Sequence, residues 1–343
     1  MSLQDALTLI ESRPDVLLEA PNTARRASVA VVIRYAGAGL AGPVPASAAE
    51  LFARHADSLA EGRAEMLFIK RATRATDRWS GHVALPGGRR DPDDADDVAA
   101  AVRETAEEVG LDLRRDAVYV GPLDQRFVTT NWGRDVLMVL CAYVFVLARD
   151  DLPLTVQPSE VAAAFWVPLA ALTAPAAQTA ETVPVGNRIG QALPRPLRAA
   201  LHASLGDMLF DGVRIDAPSD VVPAAAAAEL AKRPLIVWGL THNVLTDLFD
   251  LLDTRSAIAR FRFPTFRAWD LRAVLYVVSF AHVRRLKNDR PVVAAGKGND
   301  MNWVGRSVDN YYGVCRTAVV VTFALRAAAV SYAVVRAVRC LRR

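Results

Sequence analysis

At 343 residues, with 52% apolar and 23% charged side chains, the chain can bury a sizeable core, so disorder is not its default. Its net charge of +4 hides a split: residues 254–343 hold 17 Lys+Arg against 4 Asp+Glu, or +13, and residues 1–253 hold the remaining −9. Three cysteines, Cys141, Cys315 and Cys340, are too few for a disulfide framework and fit a reducing, intracellular compartment.

Residues 1–27 predict a helical lead-in. The stretch 1–13 carries acidic residues and no long apolar core, so it does not read as a secretory signal. Residues 28–35 have strand composition. A Gly/Pro/Ala-rich insertion follows. Within it Ser47 and Glu50 have capping-box spacing, which predicts a helix over 47–59. Residues 65–71 predict the next strand, whose end supplies Lys70 and Arg71, with Arg74 just beyond. These cations precede a Pro-Gly-Gly turn and can face a diphosphate; a strand end also carries ordinary surface charge. Trp79 and His82 flank the turn. Packing at a rim is expected of Trp79 ahead of stacking on a base, and a structural role of His82 ahead of proton transfer.

The informative stretch is 85–111, a glycine turn, an acidic loop and a helix. Asp96 or Asp97 suits the N-cap, because a short carboxylate can accept from the open N–H groups of a first turn. Gly110 suits the left-handed C′ position. Glu104 and Glu108 are four apart and Glu104 and Glu107 three apart, so all three project from one helical face. Like charges so placed repel, and a cation between them turns that cost into a site. Oxygen ligands of this kind suit Mg²⁺ or Mn²⁺, with phosphate and water completing the shell. Arg103 can hold a glutamate or a phosphate through its planar fork. A merely solvated acidic face is the plain alternative.

Residues 117–123 predict a strand, 126–133 a polar loop and 136–147 a long apolar strand. Such a loop can line a pocket or be a simple hairpin. Cys141, inside the apolar run, reads as a buried inert thiol. Residues 159–172 place Glu160 ahead of a strand ending in Trp166-Val167-Pro168-Leu169. Residues 173–205 are uninformative. Asp211-Gly212 predicts a hairpin within 209–215, and 235–252 a strand, a glycine turn and an amphipathic helix.

Beyond 253 the chain turns basic. Residues 271–283 are apolar but too short to span a bilayer, and 288–310 predict a polar loop. Residues 317–335 are long enough to span, but Arg326 sits at their middle, at a cost of roughly 2.5–3.5 kcal/mol. On a helical wheel Thr322, Arg326 and Arg336 share a side. A spanning helix, an interfacial helix with Arg336, Arg339, Arg342 and Arg343 toward anionic headgroups, and a soluble cap on the domain all remain open. Of outside partners for the tail, its charge suits an anionic membrane surface, and nucleic acid is not expected. The ending Cys340-Leu341-Arg342-Arg343 is not a peroxisomal Ser-Lys-Leu type signal.

The run Gly88 … Arg103-Glu104-Thr105-Ala106-Glu107-Glu108-Val109-Gly110-Leu111 resembles the Nudix box, Gly-x5-Glu-x7-Arg-Glu-U-x-Glu-Glu-x-Gly-U with U apolar. It departs in three ways. The gap from Gly88 to Arg103 is one residue longer, Asp94 stands for the first Glu, and Thr105 occupies an apolar position. The longer gap with Asp is typical of the coenzyme A diphosphatase branch. The segment from Trp79 through Leu85-Pro86-Gly87-Gly88 to Asp94 looks like that branch's signature, and Trp238-Gly239-Leu240-Thr241 is similar to it as well.

The resemblance implies an α/β fold, a Nudix α/β/α sandwich over 28–252 with its box at about 88–111; the basic, apolar-helical extension over 253–343 lies outside the resemblance and is read from its composition. It implies a metal-dependent diphosphatase. Glu104, Glu107 and Glu108 would hold Mg²⁺ or Mn²⁺; Glu107, Glu108 and Arg103 would carry catalysis, with Glu107 or another carboxylate as base. Arg71, Arg74, Gly87 and Gly88 would bind substrate. The substrate implied is coenzyme A or its thioesters, cleaved to 3′,5′-ADP and 4′-phosphopantetheine derivatives. The alternatives are another nucleotide diphosphate derivative, such as a nucleotide sugar or dinucleotide, and a non-catalytic, membrane-associated nucleotide-binding protein.

Overall fold

A computed structural model describes residues 2–13, 17–18, 25–59, 63–74, 79–130, 135–185, 194–216, 221–232, 234–252, 262–294 and 303–342. In chain order the elements are α1 (Leu3–Glu11), β1 (Arg25–Tyr35), α2 (Ala48–Arg54), β2 (Ala64–Arg71), β3 (Val83–Ala84), β4 (Gly87–Arg89), α3 (Asp97–Val109), α4 (Leu113–Asp116), β5 (Ala117–Pro122), β6 (Arg126–Thr130), β7 (Asp135–Leu147), β8 (Val161–Pro168) and α5 (Leu169–Thr173). There follow β9 (Gln178–Pro184), α6 (Arg195–Leu205), β10 (Asp207–Ile215), β11 (Val221–Val222), α7 (Ala227–Leu230), β12 (Leu235–Trp238), α8 (Gly239–Leu252), β13 (Thr265–Phe266), α9 (Trp269–Ala294) and α10 (Trp303–Leu341).

The larger sheet runs β11-β8-β2-β1-β7-β5, with β3 on β2, β4 on β1 and β6 on β7. Its centre is the parallel pair β1–β7, in register from Arg25↔Met138 to Ile33↔Val146. A strand covered on both faces needs apolar side chains in both directions, which is why β1 reads as a continuous apolar run rather than an alternation. On one face Val31, Ile33, Met66, Phe68, Val144 and Phe165 pack with α1, α2 and α8 through Leu7, Ile10, Leu51 and Leu248. On the other, Ala30, Val32, Leu67, Ile69, Tyr143 and Trp166 pack with α3 through Ala101, Val102 and Val109. Helices on both faces of one sheet make the expected α/β/α sandwich.

The expected lead-in is helical over Leu3–Glu11, and Leu3, Leu7 and Ile10 belong to the sandwich core. Residues 14–16 and 19–24 of that lead-in lie outside the described residues. In α2, Ser47 Oγ accepts from Glu50 N at 3.0 Å as expected, but the Glu50 carboxylate accepts from Ala46 N, and the helix ends at Arg54.

One alternative is decided and two expectations are corrected. Residues 126–130 are a strand paired to β7, the hairpin of the two readings offered; residues 131–134 of the expected loop lie outside the description. Asp211-Gly212 is not a turn, because β10 runs unbroken against β9 from Asp207↔Pro184 to Val213↔Gln178. Gly212 is there for close approach: a Cβ would stand 2.8 Å from Val237 O of β12. The polar stretch 288–310 is helical up to Ala294 in α9 and again from Trp303 in α10, with 295–302 outside the description.

The second sheet has β9, β12 and β13 on β10. With α9 and α10 it closes a third core of Met208, Phe210, Phe266, Leu271, Leu275, Tyr311, Cys315 and Ala318. The basic C-terminal region therefore shares this sheet with the residues before it.

Candidate active site

The site is built on one turn and one helix. Asp96 is the N-cap of α3, accepting from Ala99 N at 2.7 Å, and Gly110 closes it at φ +74°. Thr105 is fully buried at its apolar position and satisfies its hydroxyl by donating to Ala101 O at 2.7 Å.

Two glycines bring the turn against this helix. Gly87 sits at φ +142°, and a Cβ there would be 2.2 Å from Ser28 O and 2.6 Å from Val29 Cα, so only glycine fits beside β1. Its N–H donates to Glu108 Oε2 at 2.8 Å. A Cβ on Gly88 would lie 2.4 Å from Glu104 Cδ and 2.5–2.6 Å from its oxygens. The turn and two of the three predicted glutamates are thus in direct contact.

Glu160, just ahead of β8, completes the group. Carboxylate oxygens of Glu104, Glu108 and Glu160 all lie within 4.8 Å of one another, the one such grouping of three among the described residues. Burial pushes the Glu108 carboxyl up to about 8, against the pull of the Gly87 N–H and the Arg71 charge. Burial also raises Glu104, with Arg103 opposing. Carboxylates that are costly to charge and crowded together are what a hard divalent cation relieves, and oxygen donors suit such an ion. The residues present therefore fit a divalent metal.

Arg103 is the hub beside this group. Its Nε and Nη2 donate to the two Asp94 oxygens at 2.9 and 3.0 Å, and its Nη2 to Arg89 O at 3.0 Å. It also pairs with Glu104 Oε1 and Glu107 Oε2, both at 3.1 Å. Its hydrogen bonds hold the Asp94 carboxyl below the usual carboxylate range. Asp94 at the variant box position thus orients Arg103, and the longer loop brings the shorter acid into reach. Glu107 does not join the three-carboxylate group: its side chain is 56% exposed and faces Arg103.

The predicted cations lie beside the carboxylate group. Arg74 donates to Ser159 O and stands 3.4 Å from Glu160 Oε1. Arg71 exerts its charge on Glu108, and its N–H pairs with His82 O at 3.0 Å. Residues 75–78 of this run lie outside the described residues. The His82 ring packs on Trp238 with centroids 5.0 Å apart, which gives it the structural role expected. Trp79 is half-buried, and its carbonyl accepts from His82 N at 3.1 Å.

Sequence reasoning left two ion pairs unread. Arg26 in β1 grips Asp97 with three donor contacts of 2.6–3.0 Å and lies 3.2 Å from the buried Cys141 sulfur. Burial works to raise Asp97, and Arg26 with Arg90 outweighs it. This pair ties the first turn of α3 to the central strand, so Asp97 is a tether and Asp96 the cap. Arg126, buried in the hairpin, pairs with Asp247 of α8. Neither pair has a local sequence signal. Glu160 did have one, as an acidic residue ahead of the Trp-x-Pro-Leu strand end.

The NUDIX domain family matches residues 54–185, which contain the Gly87-Gly88 turn, Asp94, Arg103 and the carboxylates Glu104, Glu107, Glu108 and Glu160. An uncharacterized protein of Schizosaccharomyces pombe is 36% identical over 266 residues, 76% of this chain and 77% of that protein. The mitochondrial coenzyme A diphosphatase NUDT8 of Mus musculus is 41% identical over 61 residues, 18% of this chain and 29% of its own length. The peroxisomal coenzyme A diphosphatase NUDT7 of Mus musculus is 48% identical over 50 residues, 15% and 21% of the two chains. The chain thus spans less than a third of either coenzyme A diphosphatase. Among solved structures, an Ap4A hydrolase of C. elegans aligns at 14% identity and TM-score 0.28 over 53% of this chain and 96% of that one.

Proposed function

This chain belongs to the Nudix family, a pyrophosphohydrolase of the kind that works with divalent metals, and on that premise we propose that it hydrolyses coenzyme A or its thioesters. The observation that carries the reading is the grouping of Glu104, Glu108 and Glu160 against the Gly87-Gly88 turn. In the reaction proposed, water oxygen bonds to one phosphorus of the diphosphate and the bridging P–O bond breaks, giving 3′,5′-ADP and a 4′-phosphopantetheine. Bound at the three carboxylates, Mg²⁺ or Mn²⁺ would neutralise phosphate charge and lower the pKa of a bound water.

The chain's own residues supply the rest. Held by Asp94, Arg103 would fix the direction of Glu104 and so keep the carboxylate group in register. Arg71, at the end of β2, and Arg74, just beyond it, would bind the diphosphate oxygens. At Gly87 and Gly88 the place of a side chain is taken by Ser28 and by the Glu104 carboxylate, so these two residues would meet a phosphate through backbone groups only. Glu107 would be the base, because it is the box carboxylate left outside the metal group and open to solvent.

The coenzyme A assignment is supported by the Trp79–Asp94 segment, the long box gap with Asp94, and the short stretches shared with coenzyme A diphosphatases. The test is Mg²⁺-dependent hydrolysis by the purified chain of coenzyme A, acetyl-coenzyme A, ADP-ribose, UDP-glucose and diadenosine polyphosphates, with products resolved. Release of 3′,5′-ADP from coenzyme A as the fastest reaction supports the reading. A faster nucleotide sugar or dinucleotide would move the substrate within the family.

A further inference from the structure

The last helix, α10, has two unlike halves. From Tyr311 to Thr322 it packs on the domain, with Tyr311, Cys315, Ala318 and Thr322 buried. From Ala327 to Arg342 every residue is exposed. Arg326 marks the division. Its guanidinium donates to both Asp270 oxygens at 2.7 and 2.9 Å, to Ser204 Oγ at 3.1 Å and to Ser204 O. The arginine that a bilayer centre would penalise is therefore fixed at the domain surface, at the root of the free half.

Length decides between crossing and lying flat. The stretch Tyr311–Leu341 is long and apolar enough to cross, with an 18-residue window of mean hydropathy 2.0, but its first half is folded into the domain. The free half, about 15 residues at ~1.5 Å each, reaches roughly 22 Å, short of the ~30 Å hydrocarbon layer. Inserted end-on, it would also carry Arg336 and Arg339 into hydrocarbon, where charge is disfavoured. Lying flat suits it. Val330, Val334, Val338 and Leu341 recur at helical spacing on one side and are 41–87% exposed, while Arg336 and Arg339 fall on the other. Trp269, next to Asp270 and 77% exposed, stands where the free half leaves the domain. An aromatic at that level with a basic amphipathic helix beyond it matches the membrane interface in chemistry.

We propose that the free half of α10, rooted at the Arg326–Asp270 pair and Trp269, is a monotopic anchor lying in the surface of an anionic phospholipid bilayer. The +13 charge of residues 254–343 complements such a surface, and the free half carries no acidic residue to oppose it.

The test is sedimentation of the full chain with phosphatidylcholine vesicles, with and without phosphatidylserine, at low and raised salt. Binding is expected only with phosphatidylserine, and raised salt should weaken it. Val334→Asp with Val338→Asp should abolish binding without changing Tm, since both side chains face solvent. Arg336→Gln and Arg339→Gln should each weaken binding about fivefold. A polar quencher should still reach a dye on Cys340, the one exposed cysteine, in the bound state. The proposal falls if the chain ignores phosphatidylserine vesicles, if the aspartate pair binds like the parent, or if the Cys340 dye is shielded as a crossing helix would shield it. It falls equally if the chain is a dimer that the aspartate pair splits while vesicles stay unbound, which would assign the stripe to a second copy.

Discussion

Gly88 and Glu104 touch so closely that a methyl group on the glycine would stand 2.4 Å from the Glu104 carboxyl carbon. The obstructing atoms are the end of a flexible side chain, so Gly88→Ala should displace the carboxylate and spare the fold. Activity should fall about 10–100-fold, as for other losses of ligand orientation, with Tm nearly unchanged. Gly87→Ala should behave oppositely. It meets the backbone of Ser28 and Val29 at positive φ and should cost at least about 1–3 kcal/mol of stability. Equal Tm values for the two variants would refute this contrast.

Glu108 links metal, proton and fold. Its carboxyl is raised by burial from 4.5 to about 8, so in metal-free protein the neutral form is preferred. The sign follows from linkage. A raised folded pKa contributes stability that is full below about pH 4.5 and is lost as pH rises through about 8. In EDTA, Tm of the parent should therefore fall relative to Glu108→Gln between pH 5 and 8. Added Mg²⁺ should restore it, and the Mg²⁺ needed for half-activity should rise up to about tenfold per pH unit lowered below 8. Parallel Tm curves for parent and variant would refute the assignment. Turnover by Glu108→Gln should be lower by about a hundredfold or more.

Glu107 and Glu160 should separate two roles. As the base, Glu107→Gln should lower kcat by about 10²–10⁴ and leave the metal requirement alone. As a ligand, Glu160→Gln should raise the Mg²⁺ concentration for half-activity by about tenfold or more, with a smaller loss at saturating metal. Metal titrations of both variants decide. A shifted titration for Glu107→Gln would return that residue to the metal.

Asp94 acts on the site through Arg103. Asp94→Asn keeps the shape but halves the fork-to-fork pairing, so Arg103 is free to turn away from Glu104. Activity should fall about 10–100-fold. Arg103→Lys should do the same, because one ammonium cannot bridge Asp94, Glu104 and Glu107 together. If either variant keeps full activity, Arg103 is not the positioning group.

What was legible was local. The cap at Asp96, the stop at Gly110 and the shared face of Glu104 and Glu108 follow from helical period and backbone sterics, which a sequence carries directly. So does the strand, glycine turn and helix over 235–252, seen as β12 and α8. Asp211-Gly212 misled because its glycine answers to β12 packed on it, not to a turn, and neighbouring strands override local preference. The expected loop at 288–310 failed for a related reason. α9 and α10 pack on each other and on β13, and burial of their apolar faces extends helix into polar residues on both sides.

The sequence by itself determined the turn and the carboxylate helix, because each depends on residues close together in the chain, and the box they form carried the family and, by resemblance, the α/β/α class. Only the tertiary structure decided which carboxylates meet. It brought Glu160 from the start of β8 to Glu104 and Glu108, left Glu107 on Arg103, and split the long apolar helix at Arg326 into a buried half and a free one. The physical reason is the same in each case. Contacts between distant segments are set by how sheets and helices cover one another, and local spacing holds no record of that.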